Sequence, residues 1–300
     1  MKKTFFVSFL GFLSFLVLIS IIFFKGFLKK NNEVDKRADY SSKRIVSLLP
    51  SCTEIISSLL LVDNLVGVTS NDDFPPKVKK LPKVGSMLLN VEEIVKLKPD
   101  LILASSLNDS LSIEKLKSLG FRVISLKLDT LKDIFDSIKL VGKITHRDLQ
   151  AQKVINDINR RILLLEKKVS YLPFAKRKKV WLELDSNLYT AGGNTFLDSL
   201  ITIAGGRNVA RNLKNWPSVS EEQVIFWNPE VIIVTYPKGR EVVLNRKSFK
   251  KVDAVKYKRV YYVDPSILSR QGPRVIEGVE LLFNLFYPKL YKEDFKRRLN

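Results

Sequence analysis

The chain repeats a helix–proline–strand unit at a distance of 130 residues. The two copies are VEEIVKLKPDLILA (91–104) and SEEQVIFWNPEVIIV (220–234). Each copy has a glutamate near its start, a proline seven residues later, an acidic residue directly after the proline, and then an apolar run. The aligned pairs are Glu92 and Glu222, Pro99 and Pro229, and Asp100 and Glu230. Helix-then-strand units are common, so chance similarity is the alternative. The preserved spacing favours a chain built from two related halves.

Short apolar runs alternate with segments of helical spacing in both halves. The strands predicted from these runs are 44–49, 65–68, 101–104 and 123–126, followed by 180–184, 231–235 and 259–263. The helices predicted between them are 53–61, 91–97, 113–119 and 131–141, followed by 196–203 and 221–227. Strands that alternate with helices pair in parallel and form a doubly wound α/β sheet.

A long helix is predicted between the halves, from Thr145 as its cap to Val169. The segment has no glycine or proline, and its apolar residues keep helical spacing. About 24 helical residues span roughly 36 Å, which suits a rod joining two lobes. The fold class is therefore α/β, with two doubly wound lobes joined by one long rigid helix. The predicted domains are an N-terminal lobe (43–144), the linker helix (145–170) and a C-terminal lobe (171–300).

The N-terminus predicts a transmembrane signal anchor. Residues 5–24 carry no charge and follow Lys2 and Lys3, and about 20 apolar residues cross a bilayer as a helix. No alanine precedes Ala38 to mark a cleavage site, and no cysteine follows the apolar run to carry a lipid. We predict an anchor (1–30) and a tether (31–42), which place the protein outside the cytoplasm on the cytoplasmic membrane, or in the periplasm if the segment is cleaved.

The composition limits the function classes. The formal net charge is +20, from 51 Lys and Arg against 31 Asp and Glu. The basic residues are scattered, without an arginine-rich recognition helix, so we predict no nucleic-acid partner. One cysteine, Cys52, excludes an intrachain disulfide. The single histidine, His146, lies at the start of the predicted linker helix.

Catalytic signatures are absent from the sequence. It contains no Walker A pattern, no His-Glu-x-x-His, no Gly-x-Ser-x-Gly, no Gly-x-Gly-x-x-Gly and no cysteine pair for zinc. The glycine-rich stretch 190–195 matches no phosphate loop and indicates a tight turn. We therefore predict no enzyme activity, no catalytic residues, no metal site and no cofactor.

Six stretches in chain order resemble one family of proteins. They are RIVSLLPSCTE (44–54), GVTSNDDFPP (67–76), VGSMLLNVEEIVKLKPD (84–100), 190–209, WPSVSEEQV (216–224) and SRQGPRVIEG (269–278). The resemblance is to the solute-binding proteins of ABC importers whose lobes are joined by a single helix, which bind cobalamin, ferric siderophores or haem. The cobalamin branch is the most similar, through Trp216-Pro217 and through Arg270 ahead of Gly272-Pro273-Arg274.

The resemblance implies a ligand in the cleft between the lobes. Carried over position by position, the ligand-binding residues are Ser51, Cys52, Thr53, Asn71, Met87, Tyr189, Trp216 and Arg270. The chain departs from the cobalamin branch at Asn71 and at Met87, where that branch has aromatic residues. A structural role is the alternative for three of these residues: core packing for Trp216 and Tyr189, and a buried apolar position for Cys52.

The resemblance also assigns a role to the repeated glutamates. One surface glutamate on each lobe of the family docks on the permease, which implies Glu92 and Glu222 here. The alternative is that each carboxylate only favours the first turn of its helix through the helix dipole.

Three functions remain open from the sequence. The first is an extracytoplasmic binding protein that delivers cobalamin or a related corrinoid to an ABC permease dimer with its ATPase subunits. The second keeps the fold and role but binds a ferric siderophore or haem. The third is a membrane-anchored enzyme on a similar scaffold.

Overall fold

The computed structural model describes residues 43–86 and 88–290. The predicted anchor and tether, the predicted ligand residue Met87 and residues 291–300 lie outside the described residues. Within the described ranges, no helix is long and apolar enough to cross a membrane.

The N-terminal lobe contains a four-stranded parallel sheet. Its strands are β1 (Ile45–Ser47), β2 (Leu65–Gly67), β3 (Leu101–Ser105) and β4 (Val123–Leu126). They lie in the order β2-β1-β3-β4, with Ile45 opposite Leu101 and Ile102 opposite Val123. Parallel neighbours require crossover connections, and a helix lies between each strand and the next.

The C-terminal lobe repeats this sheet. Its strands are β5 (Lys179–Glu183), β6 (Arg207–Asn208), β7 (Val231–Val234) and β8 (Val260–Tyr262). They lie in the order β6-β5-β7-β8, again all parallel. The two α/β lobes predicted from the repeat are therefore present. Strand β6 was not predicted, because two residues are too few to show a strand period.

Eleven α-helices are defined within the described residues. Those of the N-terminal lobe are α1 (Pro50–Ser58), α2 (Val91–Lys96), α3 (Ser110–Ser118) and α4 (Leu131–Ile144). The linker is α5 (Asp148–Ser170), and the C-terminal lobe has α6 (Phe196–Ile203), α7 (Glu221–Trp227), α8 (Gly239–Asn245), α9 (Asp253–Lys256), α10 (Pro265–Ser269) and α11 (Val275–Phe286). Helix α1 begins three residues before the predicted start, because a proline fits the first turn, where its missing N–H has no helical acceptor.

Both faces of each sheet are buried, as parallel sheets require. Along β3, Leu101 and Leu103 join a large apolar cluster that also contains Ile158 of the linker helix. Residue Ile102, on the opposite face, packs in a separate cluster with helices α2 and α3. The large cluster continues into the C-terminal lobe, where it includes Val180 of β5. One core therefore runs through both lobes and the linker.

The acidic residue of the repeat has the same structural task in both lobes. Asp100 Oδ2 accepts hydrogen bonds from the backbone N–H groups of Lys43 and Arg44, at 2.8 and 3.0 Å. Glu230 Oε2 accepts one from the backbone N–H of Lys179 at 3.1 Å. Each carboxylate therefore holds the start of the neighbouring strand.

The linker helix α5 is bonded to both lobes. Gln150 Nε2 donates to the carbonyl of Ser58 in the N-terminal lobe at 3.0 Å. Arg161 makes a bidentate pair with Glu280 of α11, at 3.0 and 2.6 Å. These contacts, together with the shared core, fix the helix against its neighbours.

The predicted start of the linker helix was wrong by two residues, because its N-cap is Arg147. Thr145 does not cap it; its hydroxyl donates to the Val141 carbonyl at 2.7 Å, at the end of α4. His146 follows with a left-handed φ of 56° and forms the turn into α5. The end of α4 could not be predicted from the sequence, because the helical spacing of apolar residues continues from α4 into α5.

Candidate ligand site between the lobes

Arg270 of the C-terminal lobe contacts two segments of the N-terminal lobe. Its Nη1 lies 2.5 Å from Asp73 Oδ1 and 3.5 Å from Glu54 Oε1. Its Nη2 donates to the Asn71 carbonyl at 3.3 Å. The N-terminal contacts come from the loop after β2 and from helix α1. One arginine therefore joins the lobes beyond the carboxyl ends of their strands.

Arg274 adds a second contact between the lobes. Its guanidinium carbon lies 4.0 Å from the centre of the Phe74 ring, a cation–π distance. Its Nη1 lies 3.5 Å from Glu54 Oε1, and its Nε donates to Glu277 at 3.0 Å. The loop 71–74 is thus held by two arginines of the opposite lobe.

Glu54 is a buried carboxylate between these arginines. Its Oε1 contacts both guanidinium groups, whereas its Oε2 is buried without a hydrogen-bond partner among the described residues. Burial raises the pKa of Glu54 from 4.5 to about 7, and the charges of Arg274 and Arg270 oppose the rise. A Cβ at Gly272 would lie 3.2 Å from Glu54 Oε2. The absence of a side chain at Gly272 therefore allows this loop of the C-terminal lobe to pack closely against Glu54.

Two aromatic side chains lie on paired loops of the C-terminal lobe. The segments of Tyr189 and Trp216 are joined by a hydrogen bond from Thr190 N to the Pro217 carbonyl at 2.9 Å, and by a bridge between Tyr189 and Ser218. Tyr189 is 43% exposed and Trp216 49% exposed. These exposures do not support core packing for either ring.

The glycine-rich turn beside this site is structural. Gly192 N donates to the Asn215 carbonyl and Gly193 N to the Leu213 carbonyl, both at 2.9 Å. A Cβ at Gly193 would overlap the Arg211 carbonyl oxygen. Because these N–H groups are occupied, the turn positions the loop before Trp216 and is not a phosphate cradle.

A second buried carboxylate, Glu183, ends strand β5. Arg246 contacts both of its oxygens, at 3.0 and 3.1 Å, and the Tyr236 hydroxyl donates to it at 2.5 Å. Burial raises the pKa of Glu183, and its hydrogen bonds from Arg246 and Tyr236 oppose the rise. Arg246 Nε also lies 3.3 Å from Glu221 at the start of α7. This network ties the carboxyl end of the sheet to that helix.

The predicted ligand residues on α1 are buried. The side chains of Ser51, Cys52 and Thr53 are at most 3% exposed, and Cys52 Sγ lies 3.7 Å from the Ala104 carbonyl. Burial raises the pKa of the Cys52 thiol far above its ordinary value. Cys52 thus has the buried apolar position considered as its alternative. Contact of these three residues with ligand stays a prediction.

The structure brings some predicted ligand residues together. Asn71 and Arg270 are in contact, and the loops of Tyr189 and Trp216 are paired. The described residues contain no cluster of His, Cys, Asp and Glu that could hold a metal ion.

The sequence-based prediction missed three charged residues of the site: Glu54, Asp73 and Arg274. Each lies inside a stretch that carries the family resemblance. Their opposite charges in three separate motifs were an available signal.

The repeated glutamates differ from their neighbours. Glu92 and Glu222 are exposed and form no ion pair with a described residue. In contrast, Glu93 lies 3.6 Å from Lys96, and Glu221 contacts Arg246. Both helices have side-chain caps: Asn90 accepts from the N3 backbone of α2, and Ser220 from that of α7.

A protein-family model described as "Periplasmic binding protein" matches residues 45–267. The chain belongs to the periplasmic binding protein family. The resemblance stated from the sequence is therefore confirmed. So is the prediction that the protein is not an enzyme, because periplasmic binding proteins bind solutes and do not catalyse reactions.

Two relatives of this periplasmic binding protein cover most of its length. An uncharacterized ABC transporter substrate-binding lipoprotein, YvrC of Bacillus subtilis (strain 168), is 35% identical over 84% of this chain and 82% of its own. A vitamin B12-binding protein of Photorhabdus laumondii is 30% identical over 80% of this chain and 86% of its own.

Solved structures of the same architecture have been described as binding different ligands. A possible iron-binding protein of Staphylococcus epidermidis has a TM-score of 0.73 at 33% identity, covering 82% of this chain and 99% of its own. The vitamin B12 binding protein BtuF of Vibrio cholerae has a TM-score of 0.69 at 27% identity, covering 82% and 97%. The haem-binding protein RhuT of Roseiflexus sp. RS-1 has a TM-score of 0.73 at 25% identity, covering 82% and 98%.

Proposed function

We propose that this protein is the extracytoplasmic solute-binding component of an ABC importer and binds cobalamin or a related corrinoid between its lobes. The observation that carries the proposal is the pair of half-exposed rings, Tyr189 and Trp216, on paired loops of the C-terminal lobe. A flat corrin is held largely by aromatic and apolar contact, with a few polar groups at its rim. Arg270 provides such a polar group.

The relatives support this role. Vitamin B12-binding proteins are among the sequence relatives, and one is among the similar structures. The B. subtilis relative is described as an ABC transporter substrate-binding lipoprotein. The partner that this role implies is a permease dimer with its ATPase subunits. The location that we propose is extracytoplasmic, with the N-terminal segment as the membrane anchor.

A ferric siderophore or haem is the second candidate ligand. The net charge of +20 suits an anionic iron complex, although Arg270 and Arg274 themselves are paired with Glu54, Asp73 and Glu277. Tyr189 carries a half-exposed phenol, and tyrosine is a known haem-iron ligand. His146 lies in the turn between α4 and α5 and not in the loops that carry Tyr189 or Arg270.

A ligand-retention experiment separates these candidates. The full-length protein, purified in detergent, is mixed with cobalamin, haem or a ferric catecholate and then desalted, and its absorption spectrum is recorded. Retained cobalamin absorbance supports the first proposal, and retained iron-complex absorbance supports the second. Retention of none of the three contradicts both.

Docking on the permease is proposed for Glu92 and Glu222. Each glutamate is accompanied by exposed apolar side chains. On the C-terminal lobe, Phe226 is 83% exposed and lies one helical turn after Glu222. On the N-terminal lobe, Leu88 and Leu111 are 82% and 80% exposed and line one surface pocket with Glu92. Large apolar side chains beside an unpaired charge are typical of a protein-binding surface.

A further inference from the structure

A separate cavity of about 300 Å³ lies in the C-terminal lobe. It is lined mainly by basic, aromatic and amide side chains: Phe174, Arg177, Arg207, Arg211, Asn212 and Trp227. Its volume is at the small end of the range for ligand pockets.

This cavity is distinct from the site between the lobes. Arg207 begins β6 and pairs with Lys179, the first residue of β5. Glu183 ends β5, roughly 13 Å further along at about 3.3 Å per residue. The cavity is therefore at the amino ends of the strands, whereas Tyr189 and Arg270 follow their carboxyl ends.

Two of the three arginines that line the cavity lack carboxylate partners. Among the described residues, neither Arg177 nor Arg207 forms an ion pair, and Arg177 Nε is buried without any hydrogen-bond acceptor. Arg211 is 3.7 Å from Asp198, whose other oxygen accepts a hydrogen bond from Asn208. The guanidinium groups of Arg177 and Arg207 therefore leave uncompensated positive charge at the cavity, which favours an anionic ligand.

Phe174 holds two of these guanidinium groups in place. The Arg207 guanidinium carbon lies 4.7 Å from the centre of its ring, and that of Arg177 lies 6.0 Å from it. Both distances suit cation–π contact. The two charges are therefore positioned before any anion arrives.

We infer that this cavity binds the phosphate group of an anionic ligand. Guanidinium groups match phosphate oxygens through paired N–H donors, and several of them around one cavity favour a phosphate over a single carboxylate. The phosphate belongs either to a free phosphorylated compound or to the head group of an anionic phospholipid. Trp227, at the end of α7, lines the cavity, whereas Glu222 lies near the start of that helix, so anion binding leaves the docking glutamate uncovered.

The test is calorimetric titration of the full-length protein in nonionic detergent. The probes are pyrophosphate, and glycerophosphoglycerol as the water-soluble head group of phosphatidylglycerol; glycerophosphocholine is the zwitterionic comparison. The variant is Arg177→Gln/Arg207→Gln. Its matched control, Lys139→Gln/Lys153→Gln, removes two exposed positive charges elsewhere. Melting temperatures establish that both variants fold, and Arg207→Lys serves as a milder change if the double variant does not.

We expect the wild-type protein and the control to bind a phosphate probe. The arginine variant should bind it at least tenfold more weakly, and Arg207→Lys should weaken it less. Binding of pyrophosphate identifies a free phosphorylated ligand, and binding of glycerophosphoglycerol alone identifies a lipid head group. The inference is overturned if neither probe binds the wild-type protein, or if the arginine and lysine variants lose binding equally.

Discussion

Arg270 and Asp73, 197 residues apart in the chain, form an ion pair between the two lobes at 2.5 Å. The same guanidinium approaches the buried carboxylate of Glu54 at 3.5 Å. Arg270 was predicted from the sequence only as a ligand-binding residue. In the structure it also holds the lobes together, so a substitution affects stability as well as binding.

Replacing Arg270 by alanine should lower the free energy of unfolding by about 1–3 kcal/mol, because Glu54 then stays buried with one fewer charged partner. Urea denaturation without ligand measures the effect. Arg160→Ala is the control: it removes an exposed pair with Asp157 within one helix and should change stability by less than about 0.5 kcal/mol. Equal effects of the two substitutions would contradict a stabilising role for the contact between the lobes.

Glu54 should make stability depend on pH. Its pKa in the folded protein is about 7, above the ordinary 4.5, so the folded state binds this proton more tightly than the unfolded state. The contribution of Glu54 to stability should therefore fall as pH rises from about 4.5 to about 7, and then remain level. Glu54→Gln does not titrate. The unfolding free energy of wild type and variant is measured at about pH 5 and about pH 8. Between these two pH values the wild type should lose stability relative to the variant. Parallel pH profiles would contradict the prediction.

The repeat in the sequence predicted the two α/β lobes because its residues stabilise a helix or strand within the same lobe. The prolines, the apolar runs and the acidic residues Asp100 and Glu230 each shape one helix–strand unit, and those tasks leave a periodic pattern. The break at Thr145 leaves no such pattern. A single left-handed residue, His146, separates two helices whose apolar spacing is continuous.

The site was less predictable because its main contacts join distant parts of the chain. Glu54 and Arg274 are 220 residues apart, and neither has a local pattern that indicates a partner. The burial of Cys52 is likewise set by packing of α1 on the core. Which helix-end glutamates are unpaired depends on tertiary neighbours such as Arg246.

The lobes should move little when ligand binds. Helix α5 shares a core with both lobes and is bonded to each through Gln150 and Arg161. A continuous packed helix resists the hinge bending that extended linkers permit. Small-angle X-ray scattering of free and ligand-loaded protein should give near-identical profiles. A large compaction on adding ligand would show that the linker bends.

Permease docking should require both repeated glutamates. In a reconstituted importer, Glu92→Ala/Glu222→Ala should reduce transport while ligand binding by the isolated protein is unchanged. The control Asp136→Ala/Glu241→Ala removes one exposed carboxylate from each lobe, on helices outside the proposed docking surface, and should transport normally. Loss of both transport and ligand binding in the first variant, or loss of neither, would exclude the pair as docking residues.

Phe226 should contribute to the same docking surface. Phe226→Ala should weaken permease binding by about 1–3 kcal/mol, within the range for truncating an aromatic contact, because a side chain that is 83% exposed in the free protein becomes covered. Pull-down of the permease measures this effect. Leu149→Ala, which removes a side chain that is 82% exposed at the start of the linker helix, is the control and should behave as wild type.

The most direct test of the proposed ligand site is the dissociation constant of cobalamin for Trp216→Ala beside wild type and Tyr171→Ala. Tyr171 is an exposed aromatic residue at the end of the linker helix, away from the site. Trp216→Ala should weaken binding by about 1–3 kcal/mol, roughly tenfold to a hundredfold, with little change in the melting temperature of the free protein. Tyr171→Ala should bind as wild type. Unchanged affinity in Trp216→Ala, or strong destabilisation of its free form, would contradict a ligand site at Trp216.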